Sequence, residues 1–323
     1  MGNKVVICLP ASSGFDRAAQ GVAGAGRGLA EQLRGTLHAV VVGSPDEAMI
    51  SAVAVVADTV TVADQPELAA YQPEFYLAAL HQICATLEPV AVLLGSDTAS
   101  LELTARLATR LGGSPMSDAT AMSVVGGAIR VTRSAYGGKA EVVFELKRSP
   151  AVVWLRARAF EPAAPTGGEA SVERTTVGLP HSVPTRITDR HVEATEGIPL
   201  EEAQVVVGGG RGIGGAEAFG ELRDLAEVMS AAVGASRAAC DEGWVPPSVQ
   251  IGQTGKKIAP ELYLAIAISG AAQHLLGVSD AKTICAINTD PNASIFRHCR
   301  FGIVEDYRKV VPLMIERLRE LKQ

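Results

Sequence analysis

The sequence has no excess of basic charge. Lys and Arg total 29 against 35 Asp and Glu, a formal charge of −6, so no positive field is available to neutralise a phosphate backbone, which argues against nucleic acid as a partner. It also lacks cysteines at metal or redox spacing. Its five cysteines (Cys8, Cys84, Cys240, Cys285 and Cys299) are scattered without a C-x-x-C pair. That usage fits reduced thiols in a cytoplasmic protein better than a zinc, iron–sulfur or disulfide framework. No apolar run approaches the roughly 20 residues of a membrane span, and the short run after Lys4 is too brief for a signal-peptide core. Tandem repeats are missing. So is any nucleophile–base pair, metal-ligand cluster or pair of carboxylates within one motif, and no catalytic or metal-binding residue is expected.

What is present describes a globular chain. Hydrophobic residues make up 47% and charged residues 20% of 323 residues, a length that predicts two domains. "KVVICLP" (4–10), "LHAVVVG" (37–43), "TVTVAD" (59–64) and "PVAVLLGS" (89–96) read as strands. Helical spacing lies between them at 17–34, in "PDEAMISAVAV" and around 73–87, and after the last at around 99–111. Nearly unbroken Val/Ile/Leu strands between helices predict a parallel sheet covered on both faces. From about residue 119 to "AVVWLRARAF", successive strand runs separated by turn signals predict an antiparallel addition, with a hairpin turn at Gly137-Gly138. The Pro-, Gly-, Ser- and Thr-rich stretch 161–200 is the expected boundary, dividing the chain into 1–190 and 191–323. Beyond it, 202–210, 247–253, 281–288 and 301–306 read as strands, and 216–233, 260–276 and 306–321 as helices.

Several segments in the second half place small or polar residues where strands end. Gly210, Gly212 and Gly215 satisfy G-x-G-x-x-G, but the acidic residue expected about twenty positions later in a dinucleotide fold is missing. The motif is then either a ligand-cradling loop or a plain strand-to-helix turn, and Arg211 within it suits a phosphate or an aromatic ligand. "IGQTGKKIAP" (251–260) resembles a phosphate loop, yet Gln250 stands where the first glycine belongs and Lys257 where the magnesium-binding hydroxyl belongs. What remains is Gln253 and Thr254 at a strand end, suited to the edge of a polar heteroaromatic ring or to a simple turn. In "AISGAAQHLLG" (267–277), Ser269 is placed to cap a helix, small residues follow it, and His274 lies on the first turns, as a ligand contact or a core histidine. Asn288 and Asp290 close a strand, where an Asx turn is the plain alternative. Asp306 fits either a helix cap or a ribose contact.

Taken together, "VVVGGGRGIGGAEAF", "VGASRAACDEGWVPPSVQIGQTGKKIAPELYLAIAISGAAQHLLG", "ICAINTDPNASIF" and "FGIVEDYRKVVPLMIERL" resemble the alpha subunit of electron transfer flavoprotein, FixB-type chains included. "SAYGGKAEVVFE" and "MSDAT", with Asp118, resemble the family more weakly in the first half. Ala267 stands where the family usually has glycine. The resemblance implies an α/β chain of two domains. Residues 1–190 would form an adenine-nucleotide-alpha-hydrolase-like parallel sheet with antiparallel additions, contacting a beta subunit. Residues 191–323 would form a parallel-sheet FAD-binding domain like the central domain of thiamine enzymes.

FAD is the implied cofactor, with AMP in the beta subunit and not in this chain. By resemblance, Arg211 and Ser236 contact FAD and Arg237 lies over the isoalloxazine. Ile251, Gly252, Gln253 and Thr254 line the ring, with the Thr254 hydroxyl toward flavin N5. Ser269, Gly270, Ala271, Ala272, Gln273 and His274 cover the pyrophosphate and ribityl, with His274 near the C2 carbonyl. Asn288, Asp306 and Tyr307 hold the adenosine side. Positive groups and His274 near C2 would stabilise negative charge on the flavin and raise its potential. The implied function is an electron shuttle, a carrier rather than a substrate-transforming enzyme. It would take electrons from flavin dehydrogenases, such as the acyl-CoA dehydrogenases of fatty acid beta-oxidation, and pass them to a membrane quinone reductase or another acceptor. Alternatives are an electron-bifurcating complex with NADH as donor and a second FAD in the beta subunit, a non-redox nucleotide-binding assembly module, and an NAD-dependent dehydrogenase.

Overall fold

The apolar runs at the start of the chain become parallel strands buried on both faces: β1 (Lys4–Pro10), β2 (Thr36–Val42), β3 (Thr59–Ala63) and β4 (Ala91–Leu94). The structure is a computed structural model and describes residues 3–136, 140–168, 170–185, 187–189 and 197–322. The Gly137-Gly138 turn and part of the 161–200 boundary lie outside these. By its internal contacts the chain divides into two compact units, Met1–Arg190 and His191–Gln323.

In the first unit α1 (Arg17–Gln32), α2 (Glu47–Ala54), α3 (Pro73–Leu87) and α4 (Thr98–Leu111) alternate with the strands. Three of these helices start on an aspartate. Asp16, Asp46 and Asp97 accept from the N–H groups of Ala19, Met49 and Ser100 at 2.8, 2.7 and 2.8 Å, which satisfies an orphan donor and sets negative charge at the positive helix end. α3 opens instead on Pro73, where a missing N–H is harmless. Successive residues of β1 feed opposite faces, Val5, Ile7 and Leu9 into one core and Val6 and Cys8 into the other.

The antiparallel addition consists of β5 (Ser114–Val125), β6 (Ala128–Ala135) and β7 (Ala140–Glu145). Two features differ from the sequence expectation. The "AVVWL" strand, β8 (Ala151–Leu155), does not extend the antiparallel set; it runs parallel between β4 and β5. A four-residue strand, β9 (Ser171–Arg174), emerges from the boundary stretch and pairs with β3. The order is β7-β6-β5-β8-β4-β1-β2-β3-β9. The reason is local in both cases. Val152 and Val153 are fully buried, which only an interior position allows, whereas β9 is exposed along its whole length and carries no apolar pattern to announce it.

The second unit is a six-stranded parallel sheet ordered β12-β11-β10-β13-β14-β15. Its elements are β10 (Val205–Gly209), α5 (Phe219–Met229), β11 (Ala232–Ser236), α6 (Arg237–Asp241), β12 (Gln250–Ile251), β13 (Leu262–Ile266), α7 (Ala272–Leu275), β14 (Thr283–Asn288), β15 (Phe301–Val304) and α8 (Tyr307–Leu321). The expected helix at 260–276 is corrected: residues 262–266 are a strand between β10 and β14, and only 272–275 are helical. A continuous apolar run has no period to separate strand from helix. Here Tyr263 and Ile266 are both fully buried on opposite faces. The expected helix at 216–233 ends at Met229, because Ser230 turns left-handed (φ 52°) and β11 begins at Ala232. The strand at 247–253 shrinks to two residues, between a 3-10 turn at Pro247–Val249 and Gly252 at φ 142°.

Candidate functional site

Strands of the second unit are added in one direction from β10 to β12 and in the other from β13 to β15, so the carboxyl ends of β10 and β13 form a topological switch point. Open parallel sheets bind ligands at such a point. A cleft of about 730 Å³ opens there, lined by the residues that follow β10, β11, β12, β13 and β14. Its volume lies within the range of cofactor sites.

The glycine turn after β10 is built by backbone crowding. A Cβ on Gly210 would lie 2.0 Å from the Ala267 carbonyl oxygen of the neighbouring strand end, so only glycine lets the two strand ends close. Gly210 N–H donates to Ile266 at 2.9 Å, and Arg211–Ile213 form a 3-10 turn. This turn leaves Arg211 exposed at the cleft without a partner among the described residues. Beneath it the buried Tyr307 donates its hydroxyl to the Ile213 carbonyl at 2.9 Å.

After β11, the Ser236 hydroxyl is buried and makes no hydrogen bond. Arg237, exposed on α6, pairs with Asp241 at 3.3 Å. After β12 the chain folds into a tight turn. Lys256 N–H donates to Gln250 at 2.7 Å, and Gln253 N–H donates to Gln273 at 2.8 Å, tying the turn to α7. The Gln250 side chain donates to the Thr254 hydroxyl oxygen at 2.9 Å, which leaves that hydroxyl's own hydrogen for a ligand. Lys256, the residue most suggestive of phosphate, is instead paired with Glu201 at 2.9 Å.

After β13, Ser269 does not cap a helix as its position suggested. α7 has only four residues, its N-cap position is Ala271, and no side chain caps it. A single turn carries little dipole, so the segment offers N–H groups rather than a strong positive field. The Ser269 carbonyl is held by Ser294 Oγ at 2.9 Å and by Ile295 N–H at 3.0 Å. Asn288 donates to the Ile268 carbonyl at 2.9 Å and accepts from Asp290 N–H at 3.0 Å, bracing the loops at the cleft wall.

His274 is buried at 7% exposure, and its Nε2 lies 2.8 Å from the Tyr263 hydroxyl. Burial lowers its pKa to about 4. The Ile251 backbone works in the opposite direction, without completing a hydrogen bond to Nδ1, which has no partner. At neutral pH the ring is therefore uncharged, so it acts on the cleft through its dipole.

The structure thus brings together Arg211, Ser236, Arg237, Ile251, Gly252, Gln253, Thr254, Ser269, Ala271, Gln273, His274 and Asn288 on one cleft. Gly270, Ala272, Asp306 and Tyr307 do not line it. Gly270 (φ 81°) packs against the Ile295 backbone, Asp306 caps α8 by accepting from Arg308 N–H at 3.0 Å, and Tyr307 is in the core. Asp290, named with Asn288 at this strand end, also lines the cleft while its N–H closes an Asx turn on Asn288, and Ala293, which carried no signal, lines it too. Tyr263, behind His274, carried no such signal.

Comparison with known proteins bears on the same segments. Residues 199–279 match the family described as the electron transfer flavoprotein FAD-binding domain, and residues 11–180 match the electron transfer flavoprotein domain. The electron transfer flavoprotein subunit alpha of Bacillus subtilis (strain 168) is 39% identical over 273 residues, covering 82% of each chain. The chain belongs to the electron transfer flavoprotein alpha-subunit family. The subunit alpha of Mycobacterium leprae (strain TN) is 42% identical over 249 residues, 76% of each chain. Protein FixB of Bradyrhizobium diazoefficiens is 36% identical over 308 residues, 92% of this chain and 83% of the relative. In this alpha-family chain the FAD-binding match includes every cleft segment from the glycine turn through His274 and stops before Asn288. The residues present fit such a group: buried, unpartnered Ser236 Oγ and His274 Nδ1 are groups that a polar ligand would satisfy. No helix among the described residues is long and apolar enough to cross a membrane.

Proposed function

We propose that this chain binds FAD in the cleft of its second unit and, paired with a beta subunit through its first unit, works as an electron carrier. It takes electrons from flavin dehydrogenases, such as acyl-CoA dehydrogenases, and delivers them to a membrane quinone reductase or another acceptor; AMP belongs to the beta subunit. The observation that carries the reading is the pair of buried polar groups without partners, Ser236 Oγ and His274 Nδ1, on one cleft at the switch point. Leaving such groups unsatisfied costs about 1–3 kcal/mol each, which a bound acceptor or donor recovers.

When bound, FAD supplies the redox chemistry, and the chain's part is to bind and orient it. Thr254 has a hydroxyl hydrogen to offer the redox edge of the ring, and Arg211 and Arg237 bring positive charge to the cleft, that of Arg237 shared with Asp241. Gln253, fixed to Gln273, holds the turn beside the ring. Asp306 and Tyr307 enter through the turn and helix end that they hold.

The test is the visible spectrum of the chain co-expressed with its beta partner. Flavin bands, lost on denaturation with release of FAD, are expected. A colourless complex that FAD cannot reconstitute rules the reading out in favour of a non-redox assembly module. Counting FAD per heterodimer separates a one-flavin carrier from a bifurcating complex.

A further inference from the structure

The glycine turn after β10 is gripped by two other elements. One is the end of β13, where a Cβ on Gly212 would come 3.0 Å from the Ala267 Cβ. The other is the start of α8, where Tyr307 lies ninety-four positions from Ile213. The Tyr307 ring belongs to the same core as Phe219, Leu222 and Val311. It is 4% exposed, and its hydroxyl donates to the Ile213 carbonyl at 2.9 Å. The direction of this bond is fixed by chemistry, because a carbonyl oxygen only accepts. Ile213 is fully buried, and among the described residues no backbone N–H reaches its carbonyl. The next residue adds a second contact. The Arg308 guanidinium lies over the Tyr307 ring, 5.6 Å from its centroid, and one of its nitrogens would stand 3.7 Å from a Cβ placed on Gly214, where φ is 90°.

Arg211 depends on this turn. Residues Arg211–Ile213 make a single 3-10 turn, and Gly214 N–H closes on the Arg211 carbonyl at 3.2 Å. The exposed arginine and the carbonyl that Tyr307 holds therefore share one short hydrogen-bonded unit. Without the hydroxyl, the Ile213 carbonyl would stand in the core with no donor, which is costly. The turn can relieve that cost only by rotating, and the rotation carries Arg211 with it.

We infer that Tyr307 is a positioning residue for the cleft: its hydroxyl latches the glycine turn, so that Arg211 stands ready for an anionic or electron-rich group before the ligand arrives. Preorganisation of this kind raises affinity by removing an ordering cost, without adding a contact. The ligand half of the inference rests on the flavin reading; the latch is a property of the chain alone.

Two measurements test it. Amide hydrogen exchange of the full-length chain, followed on a peptide that spans the glycine turn, needs no ligand. Tyr307→Phe keeps the ring and its packing, so faster exchange across 210–214, with first-unit peptides unchanged, is expected. An unaltered rate across the turn overturns the latch. The second measurement is a double-mutant cycle on FAD affinity in the complex with the beta partner. Tyr307→Phe should bind FAD about three- to tenfold more weakly than wild type, the effect of one buried hydrogen bond. It should weaken binding little further once Arg211→Met has removed the guanidinium. A loss of the same size in both backgrounds gives the tyrosine a purely structural role and overturns the positioning, as does an unaltered affinity in Tyr307→Phe. A complex that takes up no flavin, from a chain whose turn loosens in Tyr307→Phe, sinks the functional reading and supports the latch.

Discussion

Among the described residues each unit of this protein buries one histidine, and the two are treated differently. His38, on β2 of the first unit, has both ring nitrogens engaged, Nδ1 with Thr59 at 2.5 Å and Nε2 with Thr61 at 2.8 Å. His274, in the second unit, has one nitrogen engaged and one without a partner, on a cleft. Burial lowers both pKa values to about 4, so titration alone does not separate them. Satisfaction of hydrogen bonds does. A buried ring with every nitrogen paired is structural; one with a nitrogen left over beside a cleft is set up to meet a ligand. Two further sites show the same contrast, although Arg27 Nε of the first unit is also buried without a partner. In the first unit Arg156 and Asp118 form a two-bond ion pair at 2.8 and 2.7 Å, nearly buried on both sides. In the second, Arg211 and Ser236 Oγ stand unpaired among the described residues.

The largest way to sharpen the contrast is Arg156→Ala. It removes the two charge-assisted bonds that Arg156 gives the Asp118 carboxylate, held at φ 63° in a nearly dry site, and urea unfolding should show a loss of about 3–5 kcal/mol with flavin uptake intact. Next comes His38→Ala, which leaves the two threonine hydroxyls to find other partners. We expect about 1–3 kcal/mol of destabilisation and no change in flavin potential; a shifted potential would break the distinction between the two histidines. His274→Ala should do the reverse. Its main effect is a lower potential in the flavin-loaded complex, on the order of 1 kcal/mol disfavouring the reduced state, and a reductive titration identical to wild type would show that the ring does not meet the flavin.

Acid should act on both units alike. The folded rings have pKa about 4 against 6.5 for an unperturbed histidine, so between these values the unfolded chain binds more protons. Stability therefore falls as pH is lowered through that window and the histidine contribution levels off below it. Urea midpoints measured from pH 7.5 to 4 should decline less steeply in either alanine variant. The smallest expected effect is Ala267→Gly. Ala267 sits at φ 53° at the cleft wall, and glycine there should be neutral or stabilising by up to about 1 kcal/mol, whereas the same change at Ala265 inside β13 should destabilise.

Much of the fold was legible because its signals are local. The β1, β2, β3 and β4 runs and the four helices that alternate with them could be read from hydrophobic patterning, while the structure shows that aspartates at 16, 46 and 97 fix where three of those helices start. The misreadings share a cause. β13 is apolar throughout and flanked by helix-compatible residues, so no period identifies it; β9 is held by pairing with β3, which no property of residues 171–174 announces. Part of the cleft was legible for the same local reason, since small and polar residues cluster where strands end. Lys256 looked like a phosphate ligand only while Glu201, fifty-five positions away, was out of sight.

By itself, then, the sequence determined the alternation of strands and helices, the family, and which strand ends carry glycines and polar side chains, because composition and short-range spacing encode these. Tertiary structure alone decided which of those groups are spent on the protein and which remain for a ligand. Thr254 accepts from Gln250, Asn288 braces two loops, Tyr307 supports the glycine turn, and His274 turns one nitrogen to Tyr263 and keeps the other. Hydrogen-bond partners are set by distance in space, and that distance exists only once the sheet has brought β10, β12, β13 and β14 to a common edge.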